Sequence, residues 1–136
     1  MKGIADTGLL VAFANRRDAH HDWAVSVARE VEAPLLTCEA VLAEAAFHLR
    51  DTALVLRFVD AGFVRLAFSC EAHLGALAAL AQRYADRAPD LADLCLVRMS
   101  ELYPDHVVVT VDRADFRVFR RNGREVIPLL CPPEPA

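Results

Sequence analysis

The run His106–Phe116, HVVVTVDRADF, constrains the fold of this chain more than any other stretch. Val107 to Val111 are five consecutive β-branched residues with no polar alternation. A strand with one wet face alternates, so this one is predicted to be covered on both faces, as in a parallel sheet. Two acids, Asp112 and Asp115, then follow at its carboxyl end. In open α/β sheets that edge is where ligands bind.

The rest of the chain supplies the layers such a sheet needs. KGIAD at the start reads as a short strand, TGLLVAFAN as a helix, and DAHHDWAVSVAREVEA as a second helix with Asp18 as its N-cap. PLLT, residues 34–37, is the next strand. An Ala-rich helix runs from Cys38 to about Arg50, and Asp51 caps another that continues through Asp60 until Gly62 ends it. FVRLAF is a third strand, CEAHLGALAALAQRYADR one long helix, and PDLADLCLVRMSELY a further one. After the Val-rich strand come a short Arg-rich helix and a last strand, EVIPLL. This order predicts a single α/β domain whose mainly parallel sheet, of about five strands, carries helices on both faces. With 136 residues and 55% hydrophobic content the chain can bury one sizeable core. The domain is expected to occupy residues 1–131, with the prolines of 132–136 forming a short tail. No leader is legible and no apolar run reaches the length of a membrane span, so a cytoplasmic location without membrane contact is expected. Cys38, Cys70, Cys95 and Cys131 have no C-x-x-C spacing and sit in apolar contexts, which predicts buried, reduced thiols.

Several acids stand at strand ends and helix starts. Asp6 closes the first strand and Asp112 the Val-rich one; if these strands are parallel neighbours, both open on one crevice. On the helix from Cys38, Val41, Leu42, Ala45 and Leu49 form the apolar stripe, and Glu44 falls at its border. In APDLADLCLVRMSE, Leu91, Cys95, Met99 and Leu102 are expected to make the core face, while Asp90 and Asp93 share one side of the first turn. There they also meet the positive end of the helix. Each acid has a plain alternative: Asp90 as an N-cap, Asp112 as a turn former, Glu44 as a solvated charge. Taken together, oxygen-only ligands from several element ends suit a hard cation, Mg²⁺ or Mn²⁺, and the absence of paired Cys or suitably spaced His argues against zinc.

The balance of 19 acids against 15 cations, net −4, excludes a sequence-blind nucleic-acid coat but leaves room for a local basic patch. Fourteen of the cations are Arg, the better fork for phosphate. Five of them, Arg113, Arg117, Arg120, Arg121 and Arg124, fall within twelve residues just past Asp112, either as phosphate contacts or as a solvated helix face. Arg16 and Arg17 are candidates for the same rim. His20 and His21 read as helix-start residues, Phe116 and Phe119 as packing of the last helix, and Trp23 as core.

IADTGLLVAF, EAVLAEAAFHL, PDLADLCLVRMSE and VVVTVDRADFRVFRR, in this order over nearly the whole chain, resemble the PIN-domain ribonucleases, in particular the VapC-type toxins of toxin–antitoxin pairs. The resemblance implies a PIN-like fold and an acidic quartet of Asp6, Glu44, Asp93 and Asp112, with Asp90 and Asp115 as accompanying acids. It also implies that Thr7 and Thr110 are hydroxyl positions beside the site, and that the partners are an RNA substrate and a small antitoxin. The apolar segments LLVAF and ALVLRFV suggest a homodimer. Two other function classes keep acids in such a crevice: a phosphotransferase or receiver-like domain, and a non-catalytic binding module. Against the first stand the lack of D-x-D after the first strand and of any lysine beyond Lys2.

Overall fold

The structure, a computed structural model, describes residues 1–134. Positions 135 and 136 of the expected proline-rich tail lie outside the described residues. In chain order the elements are β1 (Gly3–Ala5), α1 (Thr7–Ala14), α2 (His21–Glu30), β2 (Leu35–Thr37), α3 (Glu39–Leu49), α4 (Thr52–Asp60) and β3 (Val64–Leu66). They continue as α5 (Leu74–Arg83), α6 (Leu91–Leu102), β4 (Val107–Val109), α7 (Arg113–Val118), β5 (Arg120–Arg121), β6 (Glu125–Val126) and β7 (Leu129–Leu130). Five strands form one sheet in the order β3-β2-β1-β4-β7, and every neighbouring pair is parallel. Helices cover both of its faces, in a single domain. The unalternating Val run is therefore central: Val108 and Val109 are fully buried, as are Ile4, Ala5 and Leu35 on the neighbouring strands.

Strand order reverses between β1 and β4. From β1 the chain builds outward through β2 to β3, then returns to add β4 and β7 on the other side. The loops leaving β1 and β4 consequently diverge, and a crevice opens between them at the carboxyl edge. Tight packing holds the two loops together. A Cβ on Gly8 would lie 2.3 Å from Cγ2 of Val111, so only glycine lets α1 start this close to the β4–α7 connection.

Four local expectations are corrected. Asp18 does not cap α2; its carboxylate accepts from the His20 amide two residues on, forming a turn, and the cap position His20 has no side-chain bond. The long helix over residues 70–87 is instead α5 between two 3₁₀ turns, Glu71–His73 and Ala85–Arg87. It ends at Tyr84 because that ring is buried edge-on against Phe119 while its hydroxyl accepts from the Arg120 amide. Leu91 and Leu102 are exposed at the two ends of α6, whose buried residues are Ala92, Leu94 to Val97, Met99 and Ser100. EVIPLL is split: Glu125–Val126 folds back antiparallel on Arg120–Arg121, and only Leu129–Leu130 joins the main sheet. Asn122 and Gly123, both at positive φ, make the reversal, a hairpin signal present in the sequence.

Candidate functional site

Each acid reaches the crevice by a local rule. Asp6 leaves β1 in extended backbone and caps α1, accepting the Thr7 amide at 2.7 Å; its own amide donates to the Val109 carbonyl, which ties it to β4. Asp112 caps α7 by accepting the Asp115 amide at 3.2 Å, and Asp90 caps α6 by accepting the Asp93 amide at 2.8 Å. Glu44 comes from the middle of α3. Asp6, Glu44, Asp90, Asp93, Asp112 and Asp115 all line one cavity of about 480 Å³, together with Thr7, Gly8, Val11, His48 and Val111. The six acids named from sequence are thus brought together.

The two threonines hold carboxylates rather than facing free solvent. Thr110 is fully buried; its hydroxyl donates to Asp6 Oδ2 at 2.6 Å and accepts the Asp112 amide at 2.9 Å, so one side chain fixes both strand-end acids. Thr7 Oγ1 donates to Glu44 Oε2 at 3.0 Å. A residue with no exposed surface cannot contact substrate, and Thr110 is a positioning residue.

Packing these acids together disfavours their charged forms. Burial pushes the Asp6 carboxyl up from 3.8 to about 6; the hydrogen bonds from Thr110 and Thr7 oppose that rise, and the charges of Asp112 and Glu44 add to it. Burial, then the charges of Asp90, Asp6 and Asp115, push Asp93 to about 7. Glu44 is raised by burial and then by Asp90, Asp112 by burial and then by the side chain of Asp115. In kind, this all-oxygen set fits a hard divalent cation. As they stand, no three His, Cys, Asp or Glu side chains among the described residues are grouped so as to hold a metal ion.

The arginines divide by position. Arg113 and Arg117 converge on one carboxylate of the chain's own tail, Glu134, at 3.5 and 2.9 Å, and Arg113 also donates to the Pro132 carbonyl at 2.7 Å. Arg120 turns back onto the carbonyls that end α7, those of Arg117, Val118 and Phe119. Arg121 is spent elsewhere: it donates to the carbonyls of Ser100 and Pro104 at the far end of α6 and pairs with Glu125. Twelve residues of helix, about 18 Å, separate that end from Asp90. Arg124 is exposed in the hairpin turn. Arg16 and Arg17 follow the carboxyl end of α1 and do not line the acidic cavity.

Sequence reasoning passed over His48, which lines the cavity one helical turn after Glu44 and favours its ionised form. The i, i+4 spacing on a helix already placed was the available signal. His21 is a structural partner, with Nδ1 2.8 Å from the Ala12 carbonyl, and Phe116 and Phe119 are buried edge-to-face as expected. No helix among the described residues is long and apolar enough to cross a membrane. Compared with protein-family models and with curated proteins, the chain shows no match to either.

Proposed function

We propose that this chain is a metal-dependent endoribonuclease that hydrolyses RNA phosphodiester bonds, and that it is the PIN-like toxin of a toxin–antitoxin pair. The observation that carries the reading is the convergence of Asp6, Glu44, Asp93 and Asp112, from four separate elements, on one cavity at the strand-order reversal. These four would hold Mg²⁺ or Mn²⁺, with Asp90 and Asp115 beside them, and a cation bound there supplies Lewis-acid polarisation of the phosphodiester and a more acidic water. The protein's own contribution is orientation and charge. Thr110 fixes Asp6 and the start of the Asp112 turn, and Thr7 fixes Glu44. Burial and the neighbouring acids raise Asp93 in the metal-free protein, and a cation held there would offset that repulsion and favour its ionised form. Arg113 and Arg117 flank the exit of β4, where a phosphate beside the scissile one would lie.

The same reading includes a cognate antitoxin that places a basic side chain in the acidic cavity, a cytoplasmic location, and a homodimer for which exposed Phe47 and Leu56 provide apolar surface. The test is cleavage of structured RNA by the purified protein. Activity with Mg²⁺ or Mn²⁺, its loss in EDTA, and loss of nearly all turnover in Asp6→Asn and Asp93→Asn are expected. Undiminished cleavage by both variants would overturn the mechanism, and tight RNA binding without cleavage would favour a binding module.

A further inference from the structure

Cys70 and Cys95 meet inside the fold, although 25 residues separate them in the chain. Cys95 lies on the second turn of α6 and is fully buried; Cys38, also buried, precedes α3; Cys70 is half-buried and starts the 3₁₀ turn after β3. The sulfurs of Cys70 and Cys95 are 3.4 Å apart. A second contact holds the 3₁₀ segment along α6: Arg98 Nε donates to His73 Nδ1 at 3.3 Å. Cys70 is therefore docked on α6 by its neighbours as well as by its own sulfur.

We propose that Cys70 and Cys95 are an oxidation site that forms an intramolecular disulfide on reaction with a hydroperoxide. A disulfide needs its sulfurs at about 2.05 Å, so the pair has about 1.4 Å to close. Of the two thiols only Cys70 has solvent exposure, and it meets the oxidant first. Its thiolate attacks the terminal peroxide oxygen, the O–O bond breaks, and an alcohol leaves, or water when the oxidant is hydrogen peroxide; Cys70 becomes a sulfenic acid. The Cys95 sulfur then attacks that sulfur, the S–O bond breaks, and the departing hydroxide takes the Cys95 proton as a second water. Two thiols lose two electrons and two protons, and one hydroperoxide is reduced. A dithiol reductant returns both thiols by exchange. A soft-metal site is disfavoured, because among the described residues no third ligating side chain is grouped with these two thiols. The bridge would join the segment after edge strand β3 to the helix whose first turn carries Asp90 and Asp93. This proposal does not depend on the nuclease reading.

The experiment treats the reduced, full-length protein with equimolar hydrogen peroxide, alkylates free thiols, and maps peptides by mass spectrometry. Expected are an intact mass lower by two hydrogens before alkylation, two alkylated thiols, Cys38 and Cys131, and one cross-linked peptide pair carrying Cys70 and Cys95, reversed by dithiothreitol. The oxidised protein should also melt higher than the reduced, since the bridge closes a loop in the unfolded chain. Cys38→Ser should keep the cross-link, and Cys70→Ser should abolish it. Four alkylatable thiols after treatment, a cross-link mapped to any other pair, or bridging only between two molecules would overturn the proposal. The wild-type peptide map decides even if a variant fails to fold.

Discussion

Asp6 is pulled in two directions. Thr7 and Thr110 stabilise its charge with two hydrogen bonds, while burial and the charges of Asp112 and Glu44 oppose it, and burial wins. Its folded pKa of about 6, and that of about 7 for Asp93, lie above the ordinary 3.8, so the native state holds more protons than the unfolded one across that interval. The linked stability is fully present below about pH 4 and is lost as pH rises through 6 to 7. For Asp6, which is buried, the effect corresponds to about 3 kcal/mol; Asp93 is more exposed, and screening by solvent discounts its share. In chelator, the melting temperature is expected to fall steadily from pH 5 to pH 7.5, and a flat profile would show that these carboxyls titrate in the ordinary range in the folded protein. Asp93→Asn removes one member of the repelling set. At pH 7 in chelator this variant should melt higher than the parent; a lower melting temperature would make Asp93 a structural residue of the α6 start.

Among the elements, α1 and the β4–α7 connection depend on each other through Gly8. Gly8→Ala places a methyl against Val111 and is expected to cost roughly 1–3 kcal/mol by overpacking, measurable by urea denaturation. Val111→Ala in the same chain should recover part of that loss; equal stability of Gly8→Ala and parent would mean that the loops slide apart without cost. The central place of β4 was legible in the sequence, because an unalternating valine run requires cover on both faces, and the Asp51 cap and Gly62 stop of α4 were legible from local chemistry. Local rules failed where tertiary contacts override them. Nothing in the helical pattern of residues 70–87 announces that Tyr84 must dock on Phe119, and a wheel drawn for α6 treats Leu91 as core although it stands exposed at the helix start. The Asn122-Gly123 reversal is different, since its signal was present and a strand pattern over EVIPLL obscured it. Five of the six cavity acids could be named from their places at strand ends and helix starts and Glu44 from the border of the α3 stripe, whereas His48 needed that wheel to be followed one turn further.

For the whole molecule, a net charge of −4 conceals a segregated surface. Six carboxylates share one cavity, and of the five clustered arginines only Arg113 and Arg117 stand together beside β4's exit as an anion fork. Replacing both by Gln should weaken RNA binding and lower the salt slope by about one for each phosphate that is no longer neutralised. Arg121→Gln should leave that slope unchanged and instead destabilise the fold by about 1–3 kcal/mol, because it strips donors from the Ser100 and Pro104 carbonyls. The reverse assignment, a slope change with Arg121 alone, would place the RNA track along the far end of α6. Glu134 adds a condition of its own. It is joined to Arg117 and Arg113 by 17 and 21 positions of chain that include strands β5, β6 and β7, so diluting the protein does not dilute this occupant. An anion arriving at the fork therefore competes with a neighbour that cannot diffuse away. Added salt acts on both contestants, screening the newcomer while it loosens the resident.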